Sequence, residues 1–120
     1  KNIKTNKNKV MTATEQRNEI ALKDADYISN MVKLVTGLDI FNNTRKRDHI
    51  EARALFYVIL REDYGATYYF IKDYMESKGK SCDHSTVIHS VNQYEVYKMY
   101  SKYLEDWRQM ILSRIVQERY

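Results

Sequence analysis

Residues 82–90 read Cys-Asp-His-Ser-Thr-Val-Ile-His-Ser, and they combine a polar start with an apolar continuation. Four short polar side chains, from Asp83 to Thr86, stand together where a helix would begin. The apolar positions that follow recur at helical spacing: Val87, Ile88, Val91 and Tyr94. A helix with a polar tip and an apolar body suits insertion into the major groove of DNA, tip first. This stretch therefore predicts a recognition helix.

The tip carries side chains that can distinguish bases. Asp83 can accept a hydrogen bond from cytosine N4, and His84 can donate to guanine or to thymine O4. Ser85 and Thr86 can bond either kind of partner, and the Thr86 methyl group can pack on a thymine methyl. The alternative is that Asp83 is only an N-cap and that the others form an ordinary first turn. His89 lies about 140° around the helix from His84, so we expect it to face phosphate or the fold.

Proline is absent and glycine occurs three times, which favours a helical fold over a turn-rich sandwich or barrel. Hydrophobic periodicity predicts an all-α domain of about five helices, over 14–35, 48–63, 68–77, 83–94 and 96–120. Thr14 and Thr67 are the expected N-caps of the first and third helices, although Asp24 or Asp26 could restart the first. The fourth and fifth helices are either continuous or kinked near 93–95. Helix three, a turn at Gly79 and helix four form a helix-turn-helix candidate.

The net charge of +4 comes from the amino-terminal segment. Residues 1–10 hold four lysines and no acidic residue, so the other 110 residues carry 16 basic and 16 acidic groups. We expect residues 1–12 to be a flexible basic tail, either simply solvated or adding phosphate contacts, ahead of one domain over 13–120. Overall basicity is therefore a weaker guide to nucleic acid than the position of basic clusters in the body.

Basic residues precede the predicted recognition helix in two places, and Arg45, Lys46 and Arg47 form the only dense basic cluster of the body. Arg45, Lys46 and Arg47 lie in a polar loop before helix two, where they suit a minor groove or phosphates, or are merely solvated. Lys78 and Lys80 flank Gly79 just before the tip, where they could hold phosphates. The backbone amides that open helix three, at Thr67, could meet a phosphate as well.

The sequence contains no recognisable motif for catalysis or for cofactor binding. No phosphate-binding loop, dinucleotide fingerprint or nucleophile–base pair is recognisable, so we expect no enzymatic activity, no catalytic residue and no cofactor. Cys82, His84 and His89 match no common zinc module, so no metal is expected. The single cysteine excludes an internal disulfide and fits a cytoplasmic protein. No apolar run approaches the ~20 residues that span a bilayer, and no secretory signal is visible, so no membrane partner is expected.

The motif Asp-His-Ser-Thr-Val-Ile-His over 83–89 resembles the signature of the C-terminal DNA-binding domain of the bacterial replication initiator DnaA, in the Trp-repressor-like helix-turn-helix superfamily. The resemblance covers about 26–97 and includes Glu-Ala-Arg-Ala-Leu-Phe-Tyr-Val-Ile-Leu-Arg-Glu over 51–62. It implies an all-helical domain that binds a short box in double-stranded DNA. It also implies that Arg45, or next Arg47, enters the minor groove and that Arg61 touches the DNA backbone. Arg53, two turns before Arg61 in the same helix, is expected to brace the fold.

The resemblance further implies a role in replication initiation or its regulation, in a phage or mobile element if the domain is free-standing. Besides DNA, the partners of this protein would then be an ATPase module or another replication protein outside this chain. Two other classes stay open: a dimeric regulator of the Trp-repressor type, and an interaction or virion module that kept the fold without DNA binding. The apolar stripe of the last helix, around 107–115, either packs on the domain or forms a homodimer seam.

Overall fold

The computed structural model describes the backbone of residues 13–119 and the side chains of residues 24–117, and no strand occurs in that part of the chain. The helices are α1 (Ala13–Thr36), α2 (Arg47–Val58), α3 (Tyr68–Ser77), α4 (His84–Tyr100) and α5 (Tyr103–Arg119). A π-helical turn, Ile59–Asp63, continues α2. The predicted all-α fold of about five helices is confirmed. The predicted tail over 1–12 lies outside the described residues.

Helix α2 is the centre of the fold. Every residue from Glu51 to Leu60 is buried, so this helix presents no solvent face over that stretch. It contacts α1, α4 and α5, which surround it. A helix that is buried all round obtains its stability from packing on every side. The two charged residues in this stretch must therefore find partners inside the protein.

Arg53 meets that requirement through the loop that precedes α2. Its guanidinium donates hydrogen bonds to three backbone carbonyl oxygens, those of Ile40 at 3.3 Å, Asn42 at 3.1 Å and Thr44 at 2.5 Å. A guanidinium offers five N–H donors in a rigid fork, so one side chain can hold several carbonyls at once. The predicted bracing role of Arg53 is confirmed, and the residues it holds lead directly into the basic loop at Arg45.

Glu51 is 2% exposed and fixes the junction between α4 and α5. Its carboxylate accepts hydrogen bonds from the Ser101 hydroxyl at 2.6 Å and the Tyr103 hydroxyl at 3.2 Å, and from Arg47 Nε at 2.9 Å. Ser101 leaves the helical conformation, with φ −121° and ψ 82°. The break thus falls after Tyr100, so α4 is neither continuous with α5 nor kinked near 93–95, and the predicted helix end near residue 94 is wrong. A buried carboxylate fifty residues away in sequence sets the boundary.

Helix α3 has the predicted bounds because local signals fix both of its ends. The Thr67 side chain accepts a hydrogen bond from the Phe70 amide at 3.0 Å, which is the expected N-cap. At the other end the Lys80 amide donates to the Met75 carbonyl at 3.0 Å, and Gly79 adopts φ +86°. This is the Schellman arrangement, in which glycine takes the left-handed position. The turn leads from α3 into α4 and completes the helix-turn-helix.

The first and last helices differ in detail from expectation. Helix α1 begins at Ala13, so Thr14 lies inside the helix rather than at its cap, and the helix runs unbroken past Asp24 and Asp26. The stripe of α5 packs on the domain through buried Leu104, Ile111 and Ile115, the first of the two roles left open for it. Among residues 13–119, no helix is both long and apolar enough to span a membrane.

The Arg53→Met substitution tests the bracing of the loop. It removes a charged donor from three buried or half-buried carbonyls, so we expect the free energy of unfolding to fall by about 2–3 kcal/mol. Urea denaturation measures this loss. The matched control is Arg114→Met, because Arg114 is exposed on α5 and makes no ion pair among the described residues. Equal urea midpoints for the two variants would show that Arg53 does not hold the loop.

Candidate nucleic-acid interface

The tip of α4 is organised by Asp83, which is its N-cap. One carboxylate oxygen, Oδ1, accepts hydrogen bonds from the Thr86 amide at 3.0 Å, the Ser85 hydroxyl at 2.9 Å and the Thr86 hydroxyl at 3.2 Å. These bonds, led by the one from the Thr86 amide, hold the pKa of Asp83 below its usual range. The side chain is therefore an ionised carboxylate at neutral pH, as an N-cap of this kind should be.

This arrangement decides what the two hydroxyls can do. A carboxylate only accepts hydrogen bonds, so Ser85 and Thr86 must use their single protons to donate to Asp83. Their oxygen lone pairs remain for an external partner, and both side chains are exposed. The hydroxyls are thus set to accept, which matches the amino groups of adenine N6 or cytosine N4 in the major groove. Asp83 keeps Oδ2 for a similar contact.

His84, the first residue of α4, lies against an aromatic ring. The centroid of its imidazole is 4.6 Å from that of Tyr69, and the two planes are inclined by 26°. Tyr69 belongs to the first turn of α3, so this contact joins the starts of the two helices of the helix-turn-helix. Nothing in the local sequence around Tyr69 marks it for this contact.

Beside the tip lies a cleft of about 590 Å³ between the basic loop, the turn that precedes α4 and one face of α4. Arg45 lines it from the loop, Lys80 from the turn, and Thr86 and His89 from the helix. Arg53 forms part of the lining too, although its guanidinium is occupied by carbonyls. Four residues that the sequence analysis placed at a DNA interface are therefore brought together around one concave surface.

The cleft is electrostatically positive. None of the described side chains that line it is acidic, whereas three are cationic. Arg45 and Lys80 have no ion-pair partner among the residues that the structure describes, so their charges are available to a ligand. The hydroxyl groups of Ser81 and Ser90, which also line the cleft, can form uncharged hydrogen bonds to a ligand. A lining of this kind suits a phosphate-bearing strand.

Arg47 is held by the protein itself. Besides its bond to Glu51, its guanidinium lies 5.3 Å from the centroid of the Tyr100 ring, although 65% of its side chain is exposed. Lys46 is exposed and stands at the start of α2. In the basic loop, Arg45 is thus the arginine whose charge is not neutralised, in keeping with its rank in the sequence analysis.

Lys78 is also paired within the fold. Its ammonium lies 3.1 Å from an Asp26 carboxylate oxygen and 5.4 Å from the Tyr74 ring centroid. Hydrogen bonds from Tyr74 and then Lys78 hold the pKa of Asp26 below its usual range. Of the two lysines that flank Gly79, Lys80 is the one that faces the cleft without a carboxylate partner.

Arg61 and Thr67 lie together near the start of α3. Arg61 donates to the Ala66 carbonyl at 3.1 Å, and its guanidinium lies 4.2 Å from the Tyr68 ring centroid. The Thr67 hydroxyl is engaged in capping α3. A cation therefore stands near the start of this helix, where the helix dipole also favours an anion.

Sequence patterns could have identified one further cleft residue. Ser90 follows Thr86 by four positions, so the two share a helix face. Asn43 and Tyr97 line the cleft as well, but nothing in their local sequence marks them. Among the described residues, no group of three histidine, cysteine, aspartate or glutamate side chains could hold a metal ion.

Comparisons with known proteins identified no relative of this chain. No protein-family model, no curated protein and no solved structure matches the chain.

Proposed function

We propose that this protein binds double-stranded DNA at a specific sequence, with the tip of α4 in the major groove and Arg45 in the neighbouring minor groove. Asp83, His84, Ser85 and Thr86 would contact base edges. Lys80 and His89 would hold the backbone, with Arg61 and the start of α3 contacting it further along. Such binding would serve replication initiation at a DnaA-like box, or its regulation.

The observation that carries this proposal is the position of the cleft. Adjacent major and minor grooves are separated by one sugar–phosphate strand, so a protein that enters both must straddle that strand. Here the unpaired Arg45 of the basic loop, Lys80 of the turn and Thr86 of the α4 tip line the same cleft. The positive lining supports a phosphate strand in the cleft.

The proposal is tested by fluorescence anisotropy with two duplexes, one carrying a DnaA box and one scrambled, across a salt series. We expect tighter binding to the box by ~10³-fold or more at physiological salt. Equal, salt-sensitive binding would show that the phosphate contacts exist and that another sequence is the target, to be found by selection from random DNA. An absence of salt-sensitive binding to either duplex would contradict the proposal.

Substitution of His84 by alanine removes one base-reading group and leaves the helix cap in place. We expect a loss of ~1–3 kcal/mol on the cognate duplex and a relaxed sequence preference. The same anisotropy titrations measure both effects, with the scrambled duplex as the internal control. Unchanged affinity for both duplexes would show that His84 reads no base.

Substitution of Lys80 by alanine removes a phosphate contact. We expect all sequences to be bound more weakly by a similar factor, and the slope of log affinity against log salt to flatten by about one. The control is Lys102→Ala, because Lys102 is exposed, makes no ion pair among the described residues and follows the opposite end of α4. That helix extends about 25 Å over its 17 residues. Equal effects of the two substitutions would contradict a local role for Lys80.

A protein-interaction module is the second candidate, and one surface favours it. Val96, Met99 and Tyr100 in the last turns of α4 are 42%, 70% and 72% exposed. Apolar side chains that cluster on a surface are typical of protein contacts.

A dimeric regulator would instead bind a palindromic duplex with two chains per site, which sedimentation of the complex would reveal.

A further inference from the structure

Tyr69 is an exposed aromatic residue at the base-reading end of the protein. Its surface is 61% exposed, and its hydroxyl group has no hydrogen-bond partner among the described residues. Its one aromatic contact there is the stack on His84, with centroids 4.6 Å apart. Core packing does not account for a large ring in this position, because most of the ring lies outside the core.

The neighbouring residue, Tyr68, makes different contacts from those of Tyr69. Tyr68 is half-buried, packs against the core and carries the Arg61 guanidinium over its ring. Tyr69 points instead toward the start of α4 and meets His84. Tyr68 thus packs within the fold, whereas Tyr69 contacts the tip of α4.

Stacking controls the direction in which an imidazole donates. Both ring nitrogens of histidine project in the plane of the ring, so the plane decides which base edge a nitrogen can reach. Rotation of an imidazole about its second side-chain torsion is otherwise broad. A second ring at 26° to the first restricts that rotation from one side. The restriction exists before any ligand arrives.

We infer that Tyr69 is a positioning residue that orients His84 for base reading and so sets the sequence preference of this protein. The inference rests on the proposed function and adds to it a residue outside the recognition helix. Holding His84 in one orientation in advance lowers the entropy lost when it binds a base edge. Tyr69 acts through His84, so its effect on binding must disappear when the imidazole is absent.

The first part of the test needs no DNA. In the NMR spectrum of the free protein, the ring protons of His84 should show an upfield ring-current shift from the stacked tyrosine. Tyr69→Leu should move these resonances toward their positions in an unstacked histidine, whereas Tyr69→Phe should keep them, since it retains the ring and loses only the unpartnered hydroxyl. Identical His84 resonances in the wild type and in Tyr69→Leu would overturn the inference.

The second part is a double-substitution cycle on the cognate and scrambled duplexes. We expect Tyr69→Leu to lower the ratio of cognate to scrambled affinity about 2- to 10-fold, and Tyr69→Phe to preserve it. In a protein that already carries His84→Ala, Tyr69→Leu should change the ratio no further. A merely structural contribution would give the same loss in both backgrounds.

The outcomes separate this inference from the proposal on which it rests. Sequence-specific binding by the wild type, with an unchanged ratio in Tyr69→Leu, would overturn the positioning role and leave the DNA-binding proposal intact. An absence of specific binding by the wild type to any duplex selected from random DNA would overturn both. Loss of discrimination that is confined to proteins with His84 present would support both.

Discussion

The two buried charges of α2 are the constraint on which the surrounding structure depends. Glu51 and Arg53 lie two residues apart on a helix that is buried over this stretch, and an unpaired charge there would be very costly. Arg53 therefore binds the carbonyls of the loop before α2, and Glu51 binds the hydroxyls at the α4–α5 junction. One helix thus fixes the basic loop on one side and the end of α4 on the other.

Pairing within the fold also divides the basic residues into two groups. Arg47 and Lys78 are neutralised by Glu51 and Asp26, and Arg108 on α5 is neutralised by a two-pronged contact with Asp63. Arg45 and Lys80 remain unpaired and line the same cleft. A chain whose body is neutral overall can therefore present a positive surface beside the α4 tip. The position of the unpaired basic residues, rather than the total charge, makes that surface positive.

Features that are fixed within one turn of the chain are predictable from the sequence, whereas features that are fixed by contacts between distant segments are not. The bounds of α3 and the start of α4 were predicted because Thr67, Gly79 and Asp83 act within one turn of the backbone they cap. The end of α4 was predicted wrongly because Ser101 leaves the helix for a carboxylate fifty residues earlier. The stack of Tyr69 on His84 joins two helices, and no spacing along the chain announces it.

The sequence by itself determined the helical class, the helix-turn-helix and the polar tip of α4, because periodicity, caps and a glycine turn are local properties of the chain. Only the tertiary structure decided which basic side chains keep a free charge, which residues line the cleft and what lies against His84. Those outcomes depend on burial and on pairing between distant segments. Lys78 and Lys80 flank the same glycine, and the approach of Asp26 from α1 pairs Lys78 and not Lys80.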